Sequence, residues 1–298
     1  MTIPKTAYLA PVGLEKLLIK ELKNITAVHD RLIITSQELQ ICYWAQNIWL
    51  NPVLVPISSI SNASEHLRAL QRNWWPYAFD NFRRIKLIQE KLPFVSGKAL
   101  DFLGPLPSAL LGSFTLLDKN TLLMASTCSS VMPNGEYNFN EDKINPPSRA
   151  YLKLWELFTR FNFRPQKTDI CIELGASPGG WTWVLAQLAQ QVIAFDRSEL
   201  DPRIMALQQV NFKKQDAFSV NLADYAEASW VFSDIICYPE KLYEFVSSLL
   251  QKYPEKKYIF TIKFQGDDNA PIISRFARLP GQLVHLSNNK HELTWFKI

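Results

Sequence analysis

Residues 173–196 read ELGASPGGWTWVLAQLAQQVIAFD, and they decide the architecture of the second half of the chain. Just upstream, the apolar run Ile170–Ile172 reads as a buried parallel strand. Gly175, Gly179 and Gly180 then fall within six residues, and Trp181, Val184, Leu185 and Leu188 follow at helical spacing. A second apolar segment, Val192–Phe195, ends on Asp196. Strand, glycine loop, helix, strand and acid make half of a nucleotide-binding α/β unit. Glycines let backbone approach a ligand without a Cβ in the way. Pro178 suits the first helical turn, where its missing N–H costs little. The helix N-terminus offers free N–H groups to a carboxylate or phosphate. An acid about 20 residues past the loop suits the two hydroxyls of a ribose.

The loop pattern is GxxPGG, which matches neither the phosphate-binding P-loop nor the dinucleotide fingerprint GxGxxG. No third glycine follows at the spacing a pyrophosphate needs. S-adenosylmethionine presents a carboxylate and a sulfonium at such a loop, then a ribose and an adenine, and it is the expected cofactor. The backbone around Gly175, Ser177, Pro178, Gly179 and Gly180, with the Trp181 side chain, is expected to line the methionine end. Asp196 is expected to take the cofactor ribose. The competing reading of the loop alone is an ordinary tight turn.

Four further residues weigh against that plain reading. Lys153 lies in PPSRAYLKLWELF, a helix expected to start after Pro147 with Ser148 as N-cap. Asp234 ends the apolar strand WVFSD, and Lys263 ends KKYIFTIK. Glu292 opens the last strand, ELTWFKI, expected as an antiparallel edge. Polar residues at strand ends of an open parallel sheet gather in one crevice, so two lysines and two acids are expected to share a pocket. The alternative is a surface network of two Lys–acid ion pairs.

Together SRAYLKL, GASPGGWT, FSD, IKFQG and the late Glu292 resemble the FtsJ-type ribose 2′-O-methyltransferases, in order, over roughly residues 146–298. The resemblance implies a Rossmann-like S-adenosylmethionine fold carrying a Lys-Asp-Lys-Glu tetrad, here Lys153, Asp234, Lys263 and Glu292. It also sets Asp234 beside the cofactor and Asp216, in QDAF, at the adenine amino group. For Asp216 the alternative is an ordinary turn or cap aspartate, and Asp201 reads as a helix cap. The front half resembles the subgroup that methylates a cytidine of 23S rRNA, through GLEKLLIKEL, ISSISNASEHLRALQRNWWPY and GEYNF. That resemblance implies a THUMP-like RNA-binding region. Cys237 and Tyr238 depart from the family pattern, which has small residues and a proline after the aspartate.

Composition agrees with a soluble two-part enzyme. A chain of 298 residues with 47% apolar content is long for one domain and supports real cores. There is no uninterrupted apolar span of about 20 residues, so no membrane helix is expected. The N-terminal apolar stretch is too short for a secretion signal, and a cytoplasmic location is expected. The four cysteines, Cys42, Cys128, Cys171 and Cys237, are scattered, with no Cys-x-x-Cys pair; neither zinc nor a disulfide framework is expected. A net charge of +4 says little about RNA by itself.

Along the chain, residues 6–12 read as a strand and Leu14–Leu22 as an amphipathic helix. Two short strands flank His29-Asp30, a helix is expected over about Leu39–Trp49, and Val53–Ile57 reads as a strand. That βαββαβ order gives a ferredoxin-like subdomain over 1–60. An α+β RNA-binding subdomain is expected over 61–145, with a helical stretch from Ala63 to Leu92 broken near Pro76 and a hairpin at Asp118-Lys119-Asn120. Residues 146–298 form the doubly wound methyltransferase domain. Within LRALQRNWWPYAFDNFRRIKLIQEK, basic residues interleave with Trp74, Trp75, Tyr77 and Phe79. Arg72, Arg83 and Arg84 are the candidate phosphate contacts there, with Arg149 beside the tetrad helix, and the aromatics either stack bases or fill a core.

A ribose 2′-hydroxyl is a poor nucleophile, so its proton must leave as the methyl arrives. Lys263 is the expected general base. An ordinary lysine, with a pKa of about 10.4, is protonated at neutral pH, so the role calls for burial and a neighbouring cation such as Lys153. Asp234 and Glu292 position the ammonium groups, Lys153 stabilises charge growing on the oxygen, and no metal is needed. Two rivals stand: an RNA cytosine C5-methyltransferase using Cys237 as nucleophile, and a catalytically idle RNA-binding protein of the same fold.

Overall fold

In the computed structural model, which describes residues 3–266 and 269–298, the chain divides into two compact units. One comprises Met1–Leu100 with Pro105–Asn138, the other Asp101–Gly104 with Phe139–Ile298.

The first unit is built on β1 (Thr6–Leu9), α1 (Glu15–Glu21), β2 (Ile25–His29), β3 (Leu32–Thr35), β4 (Asn47–Leu50), β5 (Val53–Pro56), α2 (Ile60–Leu70), β6 (Trp74–Pro76), α3 (Phe82–Gln89), β7 (Gly112–Asp118), β8 (Thr121–Ala125) and β9 (Thr127–Cys128). Two sheets form, ordered β2-β3-β1-β4-β9 and β5-β8-β7-β6. Side chains alternate across a strand, and β8 uses both faces. Leu122 and Met124 pack with Leu67, Ile85 and Ile88 of α2 and α3. Leu123 and Ala125 pack with Leu9, Ile34 and Trp49 of the other sheet.

The βαββαβ order expected over residues 1–60 is not what forms. No helix covers Leu39–Trp49: residues 47–50 are β4, and β5 pairs with β8 in the second sheet. Here Trp49 sits in the inter-sheet core while Tyr43 and Trp44 donate backbone N–H groups to the half-buried Glu21 carboxylate. That burial pushes Glu21 up to about 7. A carboxylate anchoring this segment's backbone replaces the helical bonding that its apolar spacing suggested.

The second unit contains α4 (Tyr151–Phe161), β10 (Ile170–Leu174), α5 (Gly180–Leu188), β11 (Gln191–Asp196), α6 (Pro202–Met205), β12 (Val210–Lys214), β13 (Trp230–Ser233), α7 (Pro239–Lys252), β14 (Lys257–Lys263), α8 (Ala270–Ala277), β15 (Gln282–Val284) and β16 (Glu292–Lys297). The sheet order is β12-β11-β10-β13-β14-β16-β15, parallel from β12 through β14. Winding reverses between β10 and β13, and such a switch point opens a crevice at the carboxyl ends of the strands. β16 runs antiparallel to β14, which sets Glu292 directly across from Lys263. It is not an edge strand, however: the short β15 lies outside it. Among the described residues no helix is long and apolar enough to cross a membrane.

Candidate active site

The crevice holds a cavity of about 330 Å³ running from Asp196 and Asp216 past the glycine loop to Asp234 and Lys263. The sheet order explains the convergence, since most of the lining comes from strand ends and the loops that follow them, with Ser148 and Ala150 added from the segment before α4.

The loop after β10 is shaped by its glycines. Gly175 has φ +77°, and a Cβ there would lie 2.0 Å from Ile235 Cγ2. Gly179, at φ +109°, is the N-cap of α5. Pro178 therefore stands before the cap rather than in the first turn, because the two glycines delay the start of the helix. Asp196 fastens this loop, accepting N–H bonds from Ser177 (3.0 Å) and Ser198 (2.8 Å). Trp181 is buried, lines the cavity, and donates from Nε1 to Ala150 O at 2.9 Å.

Ser148 does not cap α4; the helix starts at Tyr151 after Ala150, with no side-chain cap. The Ser148 hydroxyl instead points at Gly180, whose added Cβ would meet it at 2.4 Å, and the buried oxygen has no hydrogen-bond partner among the described residues. Asp216 accepts the Phe218 N–H at 2.9 Å as the cap of a short turn and also lines the cavity, with Arg197 at 3.8 Å. Asp201 caps α6 as expected.

The four strand-end and helix residues meet at the other end of the crevice. Lys153 Nζ lies 3.1 Å from Asp234 Oδ1 and 2.8 Å from Glu292 Oε1. Lys263 Nζ lies 3.2 Å from the same Asp234 oxygen and donates to the Asp234 backbone oxygen at 2.7 Å. Lys153 is 8% exposed in its side chain and Lys263 24%, so the first is enclosed while the second faces the cavity. One carboxylate oxygen thus holds two ammonium groups in a partly dehydrated site, where charge–charge interactions are stronger than in water. This is no surface ion-pair network.

Sequence reading missed Glu173, a buried acid in the cavity lining. Thr182 Oγ1 donates to its Oε2 at 2.6 Å. Burial pushes its carboxyl up to about 8, the Thr182 hydrogen bond opposes this, and the negative charges of Asp234 and Asp196 add to the rise. An acid inside ICIEL was the available signal. Because the folded state keeps this proton to about pH 8 while an unfolded chain releases it near 4.5, stability must fall as pH rises between those values. Glu173→Gln is expected to remove that slope, gaining on the order of a few kcal/mol over wild type at pH 9 and little at pH 4. Denaturant melts across pH 4–9 check it, and parallel curves for the two proteins would refute it.

Also unread was the support behind Glu292. Glu156, fully buried on α4, accepts the Ser287 N–H at 2.7 Å, and Arg160 Nη1 donates to His285 O at 3.3 Å. These bonds hold the loop that leads into β16. Among the candidate RNA contacts, Arg72 and Arg83 are exposed. Arg84 is half-buried, and its enclosed Nε has no hydrogen-bond partner among the described residues. Arg149 forms a two-pronged pair with Glu141, at 3.1 and 2.8 Å. Trp74 and Tyr77 are core residues, while Trp75 and Phe79 are half-buried, so the core-filling reading holds for the first pair.

No group of three or more potential metal ligands occurs among the described residues. Cys237, which a C5-methyltransferase would use, has its thiol pushed up to about 11 by burial, against the opposing pull of Lys241 and Lys263. A nucleophilic thiol needs the opposite displacement.

Residues 146–257 match the model of the family described as FtsJ-like methyltransferase. The chain is 32% identical over 122 residues to the ribosomal RNA large subunit methyltransferase M of Halorhodospira halophila, a match covering 40% of this chain and 35% of that protein. The protein of the same name from Saccharophagus degradans is 34% identical over 123 residues, covering 39% and 35%. For that of Shewanella frigidimarina the figures are 30% over 123 residues, 39% and 34%. The chain therefore spans about a third of the length of these relatives.

Proposed function

We propose that the chain is an FtsJ-like methyltransferase that uses S-adenosylmethionine to methylate a ribose 2′-hydroxyl of ribosomal RNA, with a cytidine of 23S rRNA as its substrate. The observation that carries this reading is the convergence of Lys153, Asp234, Lys263 and Glu292 at the cavity end. The relatives' names and the match over residues 146–257 support the same reading.

The residues present fit the cofactor. Gly175 and Gly180 leave no room for a Cβ, and the unpartnered Ser148 hydroxyl is a spare polar group at the loop. Gly175, Ser177 and Trp181 would hold the methionine part, Asp196 the ribose and Asp216 the adenine amino group. S-adenosylmethionine supplies, when bound, a methyl group on a positively charged sulfur. Lys263 would take the 2′-hydroxyl proton as that oxygen accepts the methyl group. Lys153 stabilises the charge developing on that oxygen, and Asp234 and Glu292 fix both ammonium groups. The first unit, THUMP-like in this reading, holds the RNA, with Arg72, Arg83 and Arg84 on phosphates.

Transfer of a radioactive methyl group to ribosomal RNA, followed by nucleoside analysis, tests the proposal. 2′-O-methylcytidine is the expected product. 5-Methylcytidine would favour the Cys237 route, and an unlabelled product from folded, cofactor-binding protein would favour the idle one.

Asp196→Ala is expected to weaken cofactor binding about tenfold or more, because it removes the ribose acceptor and frees the Ser177 N–H that shapes the loop. Calorimetry with S-adenosylmethionine in chelator reads this directly. Unchanged affinity would detach Asp196 from the cofactor site.

A further inference from the structure

The basic character of this chain is concentrated in one short stretch of the first unit. Residues 68–98 contain seven lysines and arginines against two acids, a net +5, while the whole chain is +4. The other residues together are therefore at −1. Arg72, Arg83, Lys86, Lys91 and Lys98 are all exposed, and none has an ion-pair partner among the described residues. Five unpaired cations in one segment call for an outside polyanion.

A groove of about 400 Å³ lies between the two ends of this stretch. Asn73, next to Arg72, forms one wall; Phe94, Ser96 and Lys98 form another, with Leu110 and Met132 between them. Lys98 is the single charged residue in the lining, and no acid is present. The Phe94 side chain is 88% exposed and Leu110 58% exposed. Scattered exposed apolar side chains are ordinary; here the two stand on the lining of one concave site.

The groove is also held in shape. The Gly97 backbone lies against the Trp75 ring, where an added Cβ would sit 2.6 Å from Cη2. The Asn73 carbonyl accepts from Gly112 N at 3.0 Å and Gln71 Nε2 at 2.9 Å. A preformed site loses less entropy on binding.

We propose that this groove is a binding subsite for an unpaired RNA base, stacked on Phe94, with Lys98 and the neighbouring arginines on the flanking phosphates. An apolar peptide would leave those cations without counter-charges. A duplex keeps its bases stacked inside, so the groove selects single-stranded or looped RNA. The inference rests on RNA being the substrate, and it adds a reader of strandedness outside the methyl-transfer site.

The test measures fluorescence anisotropy of a labelled single-stranded RNA 12-mer of mixed sequence and of the same sequence as a blunt duplex. Phe94→Ala is expected to weaken single-strand binding about 5- to 150-fold, the range for losing one stacked base. The salt slope and duplex binding should stay unchanged, and Phe94→Tyr should restore the affinity. Arg72→Ala should weaken both ligands and flatten the salt slope. Because Phe94 is exposed, the melting temperature and S-adenosylmethionine affinity of Phe94→Ala should match wild type, which excludes a folding defect. Several results overturn the proposal: unchanged single-strand affinity in Phe94→Ala, an equal loss for both ligands, no binding of the 12-mer by wild type at low salt, or a wild-type dimer in light scattering that Phe94→Ala dissolves. Methyl transfer to ribosomal RNA by wild type is a separate readout, so the groove can fail while the enzymatic reading stands, and the reverse.

Discussion

Lys263→Ala is expected to slow single-turnover methyl transfer by roughly 10²–10⁴-fold, while cofactor and RNA affinities change little. That combination marks a group that acts in the transition state rather than in binding. The structure places Lys263 as the last residue of β14, half facing the cavity, its nitrogen fixed by the Asp234 backbone oxygen at 2.7 Å. An ammonium held so firmly is well aimed, but it has to give up a proton before it can accept one. Lys263→Arg separates a base from a fixed charge, because a guanidinium keeps its proton and its positive charge. It should remain inactive. If Lys263→Arg retains most of the activity, the proton leaves by another route and Lys263 serves as a cation only.

How far the sequence could be read depended on whether a signal was local. The loop over 175–180 announces itself, because glycines, a proline and a following acid are chemical requirements written within one segment. Asp234, Lys263 and Glu292 were legible for a different reason: a polar residue closing or opening an apolar strand is conspicuous, and a parallel sheet brings such ends together, whereas Lys153, on the helix α4, was marked by the motif SRAYLKL. Signals that depend on tertiary partners were lost or misread. Ser148 has the residue type and position of a cap, yet its hydroxyl is enclosed against Gly180. The spacing in residues 39–49 fits a helix, but the Glu21 carboxylate takes the N–H groups of Tyr43 and Trp44, and Trp49 joins a strand. Aromatic residues near arginines looked alike in sequence; burial separates the core residues Trp74 and Tyr77 from the half-buried Trp75 and Phe79. Glu156 and Glu173 went unread, because their burial is set by tertiary packing.

Lys153→Met is expected to abolish activity and also to destabilise the second unit, and the two effects can be pulled apart. Lys153 reaches both Asp234 and Glu292, at 3.1 and 2.8 Å, with 8% of its side chain exposed. Asp234 keeps Lys263 when Lys153 is lost, whereas Glu292, with 10% of its side chain exposed, has Lys153 as its ion-pair partner. Leaving one buried partner uncompensated costs about 3–5 kcal/mol, which for a unit of this size lowers Tm by roughly 6–20 °C. Glu292→Gln in the same chain removes the stranded charge while an amide can still accept the Lys290 N–H, so most of the lost Tm should return. Activity should not return, because the charge that Lys153 supplies to the developing oxyanion is still absent. Thermal melts and single-turnover rates on wild type, Lys153→Met and the double variant decide the matter. Recovery of activity along with stability would make the Lys153–Glu292 pair a structural clamp, and a single variant with unaltered Tm would show that Glu292 never depended on it.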